Sequence, residues 1–248
     1  MTTPLYLYGR GPLEEAITLG KSGLIEKIFL TPQAEADGKI IGLLQKHGLK
    51  HERVTVQEIE SMTGRDATHQ GVCALLDDRK IYTPLDTVLL EAKNSSKRPL
   101  FVLLDELQDP HNVGAIIRSA LAFGATAVLM PEYDQVQVTS TVIKTSAGTV
   151  FSMPIVRIGN VNTTLRNLKE KGFWIYGLAG DGETKLATTA FDADTVIVIG
   201  SEGEGIRPKT LEVCDFKLAI DINPACESLN ASNAAAVAFY EWYKQQSI

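Results

Sequence analysis

The sequence predicts an α/β protein in which a mostly parallel sheet forms the C-terminal part and a smaller α/β domain precedes it. Three observations carry this. Apolar runs such as "LFVLLDEL" and "TVIVIG" are continuous rather than alternating, as in strands covered on both faces. Helix-like segments separate most of these runs, the order that builds parallel sheets. A polar stretch ending "EAKNSSKRP" interrupts the pattern, so the chain divides into residues 1–78, a linker at 79–98, and residues 99–248.

In the first part, "LYLYG", "IEKIFLT", "ERVTV" and "GVCALLD" read as strands, while "PLEEAITLGKSG", "KIIGLLQKHG" and "VQEIESMTG" read as helices. The linker holds a short helical pattern at "PLDTVLLEAK". After Pro99 the strands are "LFVLLDEL", "TAVLM", "MPIVRI", "FWIYGLAG", "TVIVIG" and "FKLAI", interleaved with the helical segments "NVGAIIRSALAFG", "STVIKTSAG" and "NTTLRNLKEKG". Such a sheet binds its ligand at the carboxyl ends of the strands.

With 248 residues, 44% of them hydrophobic and 22% charged, the chain has the composition of a folded protein with a substantial core. No apolar run approaches the roughly 18–20 residues that cross a bilayer, and "MTTPLYLYGRGPLEE" lacks the basic and apolar regions of a signal peptide, so the expected location is the cytoplasm, away from membranes. The net charge of −6 argues against coating nucleic acid through the overall field while leaving room for a local basic face. Cys73, Cys214 and Cys226 share no C-x-x-C spacing, so reduced thiols are expected. His47 and His51 stand four apart, but the glycine in "QKHGLKHERV" ends a helix between them, and no metal is expected.

Three segments carry chemistry. In "LDELQDPHNVGAIIRSALAFGA" a strand turns into a helix for which Asn112 or Asp109 serves as N-cap. Val113, Ile116, Ile117, Ala120 and Leu121 form its apolar stripe, and Gly114, one turn before Arg118, costs about 1 kcal/mol relative to alanine. Asn112 and Arg118 therefore suit a polyanionic substrate that a bare face at Gly114 lets come close. The order G-x-x-G-x-G in "GSEGEG" matches neither a dinucleotide fingerprint nor a P-loop, and Glu202 and Glu204 would repel phosphate, so this loop suits a cationic or hydroxyl-bearing ligand. In "DINPACESLNAS", Glu227, Ser228 and Asn230 stand at the start of a helix, with Ser228 as N-cap and Leu229 turned inward. The alanines and aromatics of "AAAVAFYEWY" predict a homodimer through that helix.

Taken in order, "DELQDPHNVGAIIRSA", "IGSEGEG" and "ESLNASNAAAVAFYE" resemble the three motifs of the SpoU (TrmH-like) 2′-O-ribose RNA methyltransferases of the SPOUT superfamily, over about 150 residues from Pro99. "YGRGPLEEAI" and "THQGVCALL" are similar to the L30e-like RNA-binding domain of the RlmB-like branch, which methylates a guanosine ribose in large-subunit (23S) ribosomal RNA. The resemblance implies a deep trefoil knot, which the ordinary rules of chain connection would not suggest. It also implies the methyl donor S-adenosylmethionine (AdoMet), held by Leu178, Ala179, Gly180, Gly200, Ile220 and Leu229. Asn112, Arg118, Glu202, Ser228 and Asn230 match the family's catalytic set. Arg118 either takes the ribose proton or, its guanidinium staying protonated, holds a phosphate while Glu202 or Ser228 accepts that proton. The chain departs from the family pattern in "AIDINPACESLN", with proline where glycine is common, and at Asn233, where an apolar residue is usual. Two other readings are a tRNA methyltransferase of the same family and a non-catalytic RNA-binding protein.

Overall fold

Buried apolar strands and amphipathic helices alternate along the chain, as the patterning predicts. The computed structural model describes residues 4–246. The elements run β1 (Leu5–Tyr8), α1 (Arg10–Thr18), β2 (Ile25–Leu30), α2 (Pro32–Glu35), α3 (Gly38–Lys46), β3 (Glu52–Arg53), α4 (Val56–Thr63), β4 (Val72–Leu76) and α5 (Leu85–Asn94). They continue with β5 (Leu100–Asp105), α6 (Pro110–Ala122), β6 (Ala127–Pro131), α7 (Ser140–Thr145), β7 (Ile155–Ile158), α8 (Val161–Glu170), β8 (Trp174–Leu178) and β9 (Thr184–Lys185). The last are β10 (Thr195–Gly200), α9 (Pro208–Leu211), β11 (Phe216–Ala219) and α10 (Ala231–Gln246).

Two compact units result. The first holds the residues up to Ile81 together with Val138–Ser152. Its sheet has the order β1-β4-β2-β3, with β4 antiparallel to both β1 and β2, and β2 parallel to β3. The helix α7, which the sequence pattern groups with the later strands, packs in this unit against β1, where the Ser140 hydroxyl donates to the Tyr6 carbonyl. Gly148 lies against the Glu15 carboxylate at φ +77°, a left-handed backbone conformation that favours glycine. The helix α3 ends at Lys46 before Gly48 at φ +64°, and His51 faces Glu35 at 3.2 Å.

The second unit holds Tyr82–Gln137 and the residues from Met153 onward. Its seven strands are all parallel, in the order β7-β6-β5-β10-β8-β11-β9. The strands β5 and β10 are buried along their whole length, which is why both read as unbroken apolar runs. They pair side by side, Leu100 with Thr195 through Asp105 with Gly200. The segment read as a linker contributes to this unit: Val88 and Ala92 of α5, one turn apart, are buried in the same core as Phe101 and Phe173. Composition conceals them because six exposed residues, Lys93 to Arg98, follow directly. The short strand β9 carries no apolar run that would mark it in the sequence.

Candidate active site

The strand β5 ends at Asp105, and the chain enters α6 through an Asp109 N-cap whose side chain accepts from the His111 amide at 2.9 Å. Of the two cap candidates the structure uses Asp109, because Pro110, with no N–H to satisfy, takes the first helical position. Asn112 is thereby freed for another role. It is buried on the first turn, and its Nδ2 donates to Glu202 Oε1 at 2.8 Å. Asn230 Nδ2 donates both to Asn112 Oδ1 at 3.0 Å and to Glu202 Oε1. Three side chains from three distant segments thus form one closed hydrogen-bonded triangle beside the carboxyl ends of β5 and β10.

Asn230 has a second task. Its Oδ1 accepts from the Ser232 amide at 2.9 Å and the Ser232 hydroxyl at 2.6 Å, so it is the N-cap of α10. This corrects the expectation for Ser228, which lies outside the helix, is exposed, and gives its carbonyl to the Cys226 thiol at 3.2 Å. Leu229, expected to turn inward, is 37% exposed. Once the cap moves two residues on, both side chains fall in the loop before the helix.

Arg118 is exposed on α6 and has no hydrogen bond or ion pair among the described residues. Gly114, expected on an open face, is buried in a helix that packs against α10. Its burial leaves no open face there beside Arg118.

Five of the positions suggested for a cofactor gather at neighbouring strand ends: Leu178 ends β8 with Ala179 and Gly180 after it, Gly200 ends β10, and Ile220 follows β11. The Ala179 amide donates to the Leu218 carbonyl at 2.9 Å, and a Cβ on Gly180 would meet nothing within 4 Å, so backbone groups line open space there. At Gly200 the close approach is internal. An added Cβ would lie 2.1 Å from the Gly205 carbonyl carbon, because the chain folds back through reciprocal Ser201–Gly205 amide bonds of 3.0 and 3.1 Å.

Sequence reasoning missed Asp105 and Arg207. Asp105 is completely buried and accepts from the Arg207 amide at 3.0 Å, its Nε at 3.0 Å and its Nη2 at 2.6 Å. Arg207 Nη1 also meets Glu106 Oε1 at 2.7 Å. Hydrogen bonding to Asp105, ahead of the charges around it, holds the guanidinium pKa above its ordinary value. The available signal was an aspartate closing a buried apolar strand, where a carboxylate requires a partner.

A cavity of about 370 Å³, lined in part by Lys97, Arg98, Phe123, Thr126 and Trp242, lies near the start of β5 and β6, the opposite end of the sheet from this triangle. The convergence of polar side chains, not cavity size, identifies the candidate site. Among the described residues no cluster of three His, Cys, Asp or Glu side chains could hold a metal, and no helix is long and apolar enough to cross a membrane. Cys73, Cys214 and Cys226 are free thiols, and burial pushes the first two up to about 12.

Two family profiles match the chain: the SpoU rRNA Methylase family over residues 99–240, and RNA 2′-O ribose methyltransferase substrate binding over residues 6–82. A Synechocystis protein named as a tRNA/rRNA methyltransferase (slr0955) is 40% identical over 181 residues, 73% of this chain; the match spans 47% of that longer protein. The 23S rRNA (guanosine-2′-O-)-methyltransferase RlmB of Xanthomonas campestris is 37% identical over 203 residues, 82% of this chain and 80% of that one. In fold, the chain is similar to the SpoU methyltransferase AviRb of Streptomyces viridochromogenes, solved with AdoMet. The TM-score is 0.81 at 24% identity, covering 99% of this chain and 91% of the other.

Proposed function

This chain belongs to the SpoU rRNA methylase family, and from that premise we propose that it transfers a methyl group from AdoMet to the ribose 2′-hydroxyl of a guanosine in 23S ribosomal RNA. The observation that carries the reading is the triangle of Asn112, Glu202 and Asn230, drawn from all three motifs to the strand ends where such sheets bind ligands. The RlmB relative supports ribosomal RNA, and the substrate-binding match over residues 6–82 supports RNA selection by the N-terminal region. Because Val138–Ser152 packs in that first unit, removing residues 1–78 would strip it of its partners, and tests of selection belong on the whole chain.

AdoMet, when bound, supplies a methyl group already activated on a sulfonium, so the protein has mainly to align the attacking oxygen. Backbone at Leu178, Ala179, Gly180, Gly200 and Ile220 fits as its holder because these positions meet at adjacent strand ends, and Leu229, exposed in the loop before α10, completes the set. Glu202 is held through Oε1 by two amides, which leaves Oε2 to accept the proton of the 2′-hydroxyl. Asn112 and Asn230 fix that carboxylate. The Arg118 guanidinium binds an RNA phosphate, orienting the ribose. Ser228, exposed in the loop before α10, hydrogen-bonds the ribose. The same reading extends to the deep trefoil knot that the family resemblance implies.

Mass mapping of ribose methylation in total RNA from cells lacking the protein tests the assignment. Loss of one 2′-O-methylguanosine from 23S RNA, with tRNA unchanged, is expected. A loss confined to tRNA would overturn the choice of ribosomal RNA, and no loss from any RNA would overturn the activity.

The proposed assembly is a homodimer through α10 and the end of α6. Ala231, Ala235, Ala238, Phe239 and Trp242 are spent inside the protein, so the apolar surface left for a second copy is Val237, Tyr240 and Tyr243, with Phe123 against both tyrosines. Light scattering at micromolar concentration is expected to report twice 27.0 kDa, and Val237→Glu/Tyr240→Glu to halve it. A wild-type monomer that still methylates RNA would refute the dimer.

A further inference from the structure

We propose that Arg207 is a positioning residue for this reaction: bound to Asp105, it sets the place of both Glu202 and Asn112. The proposal rests on the reading of their meeting point as the methyl-transfer site. Asp105 is the last residue of β5 and pairs in the ladder with Gly200, the last residue of β10. Beyond this pair the two chains separate, one toward Asn112 and the other toward Glu202. A fully buried carboxylate without a partner is strongly unfavourable, so Asp105 demands a cation, and both its oxygens go to Arg207. The main chain of Arg207 is tied as well as its side chain, and Nη1 reaches Glu106, so one residue clasps the end of β5 at several atoms.

This clasp closes the loop that starts at Gly200. Within it the Ser201–Gly205 amide bonds leave Glu202 on a short tip with little freedom. On the other branch, Glu106 at φ +62° turns the chain, the Leu107 amide donates to the buried Gln135 Oε1 at 2.8 Å, and Asp109 caps the helix bearing Asn112. Both partners of the 2.8 Å Asn112–Glu202 contact therefore hang from one ion pair. The role needs the planar fork of arginine, since Nε and Nη2 both hold Asp105 Oδ1 while Nη1 holds Glu106; a lysine ammonium keeps the charge but cannot span these atoms.

The test is Arg207→Lys in the full-length protein. Single-turnover methylation of RNA at saturating AdoMet is expected to fall by about tenfold or more, with the AdoMet Kd changed by less than about threefold. Because the effect passes through Glu202, the same substitution in a Glu202→Gln background is expected to cost less than about twofold. Full loss in both backgrounds, or wild-type rates in Arg207→Lys, would overturn the proposal. The side-chain amide resonances of Asn112 and Asn230 give a readout independent of turnover: they are expected to shift in Arg207→Lys, and unmoved resonances would overturn it. Shifted resonances in a protein whose wild type methylates no RNA would refute the functional reading and uphold the positioning. If Arg207→Lys does not fold, Asp105→Asn, which removes the buried charge, is expected to show the same amide shifts and non-additivity, and their absence would count equally against the proposal.

Discussion

Arg118→Ala is expected to lower the methyl-transfer rate by on the order of 10²-fold or more while leaving AdoMet affinity within a few-fold. Arg118 is exposed and engages no other described residue, so its truncation removes nothing from the fold, and the melting free energy is expected to change by no more than about 0.5 kcal/mol. What it removes is a contact made with RNA alone. Arg118→Lys separates charge from shape, because lysine keeps the charge and loses the planar, two-pronged hydrogen bonding that orients a phosphate. Lysine is expected not to restore the rate. Single-turnover methylation by both variants at saturating AdoMet is the measurement; near-wild-type rates in the alanine variant would take Arg118 out of the mechanism.

Gly200→Ala is expected to act through the opposite route, from inside the fold. Its new Cβ would stand 2.1 Å from the Gly205 carbonyl carbon and 2.2 Å from the Ile206 nitrogen, both backbone atoms that cannot rotate away. The loop must open, at a cost of about 1–3 kcal/mol in stability. Opening it breaks the Ser201–Gly205 bonds, displaces Glu202 from both amides, and disturbs a proposed cofactor contact. A loss of about 10²-fold in activity, with weakened AdoMet binding, is the expected result. Gly203→Ala is the control: three residues along the same loop it is exposed, has nothing within 4 Å of an added Cβ, and is expected to change stability by no more than about 0.5 kcal/mol. Thermal melting and calorimetric titration of AdoMet compare the two. If Gly200→Ala melts and binds like wild type, the tight fold-back is not what that glycine serves.

The glycine-rich loop also shows where sequence reading and structure part. Three glycines in "GSEGEG" suggest backbone drawn close to a ligand, yet at Gly200 the backbone drawn close is the protein's own. Composition cannot tell these apart, since either neighbour demands the missing side chain. The cap of α10 is a similar case. Ser228 and Asn230 are both good N-cap residues. Asn230 wins because its amide can cap the helix with the oxygen and bind Asn112 and Glu202 with the nitrogen, a double use that a serine hydroxyl cannot provide.

By itself the sequence determined the parallel sheet and its buried central strands, the segments that carry Asn112, Glu202 and Asn230, and the family. All of these are written in local runs, periods and motif order, which a linear chain displays directly. Folding in three dimensions set the rest: Asp105 and Arg207 form the clasp beneath the site, α7 packs with the first unit, Val88 and Ala92 of the apparent linker enter the core, and Gly114 is buried. These depend on partners far apart in the chain, 134 residues for Ser140 and Tyr6 and 102 for Arg207 and Asp105, whose pairing arises from the parallel register of β5 and β10. A buried charge or an added methyl group acquires its energy from what lies across that register, and a neighbour brought by folding leaves no periodic mark in the sequence.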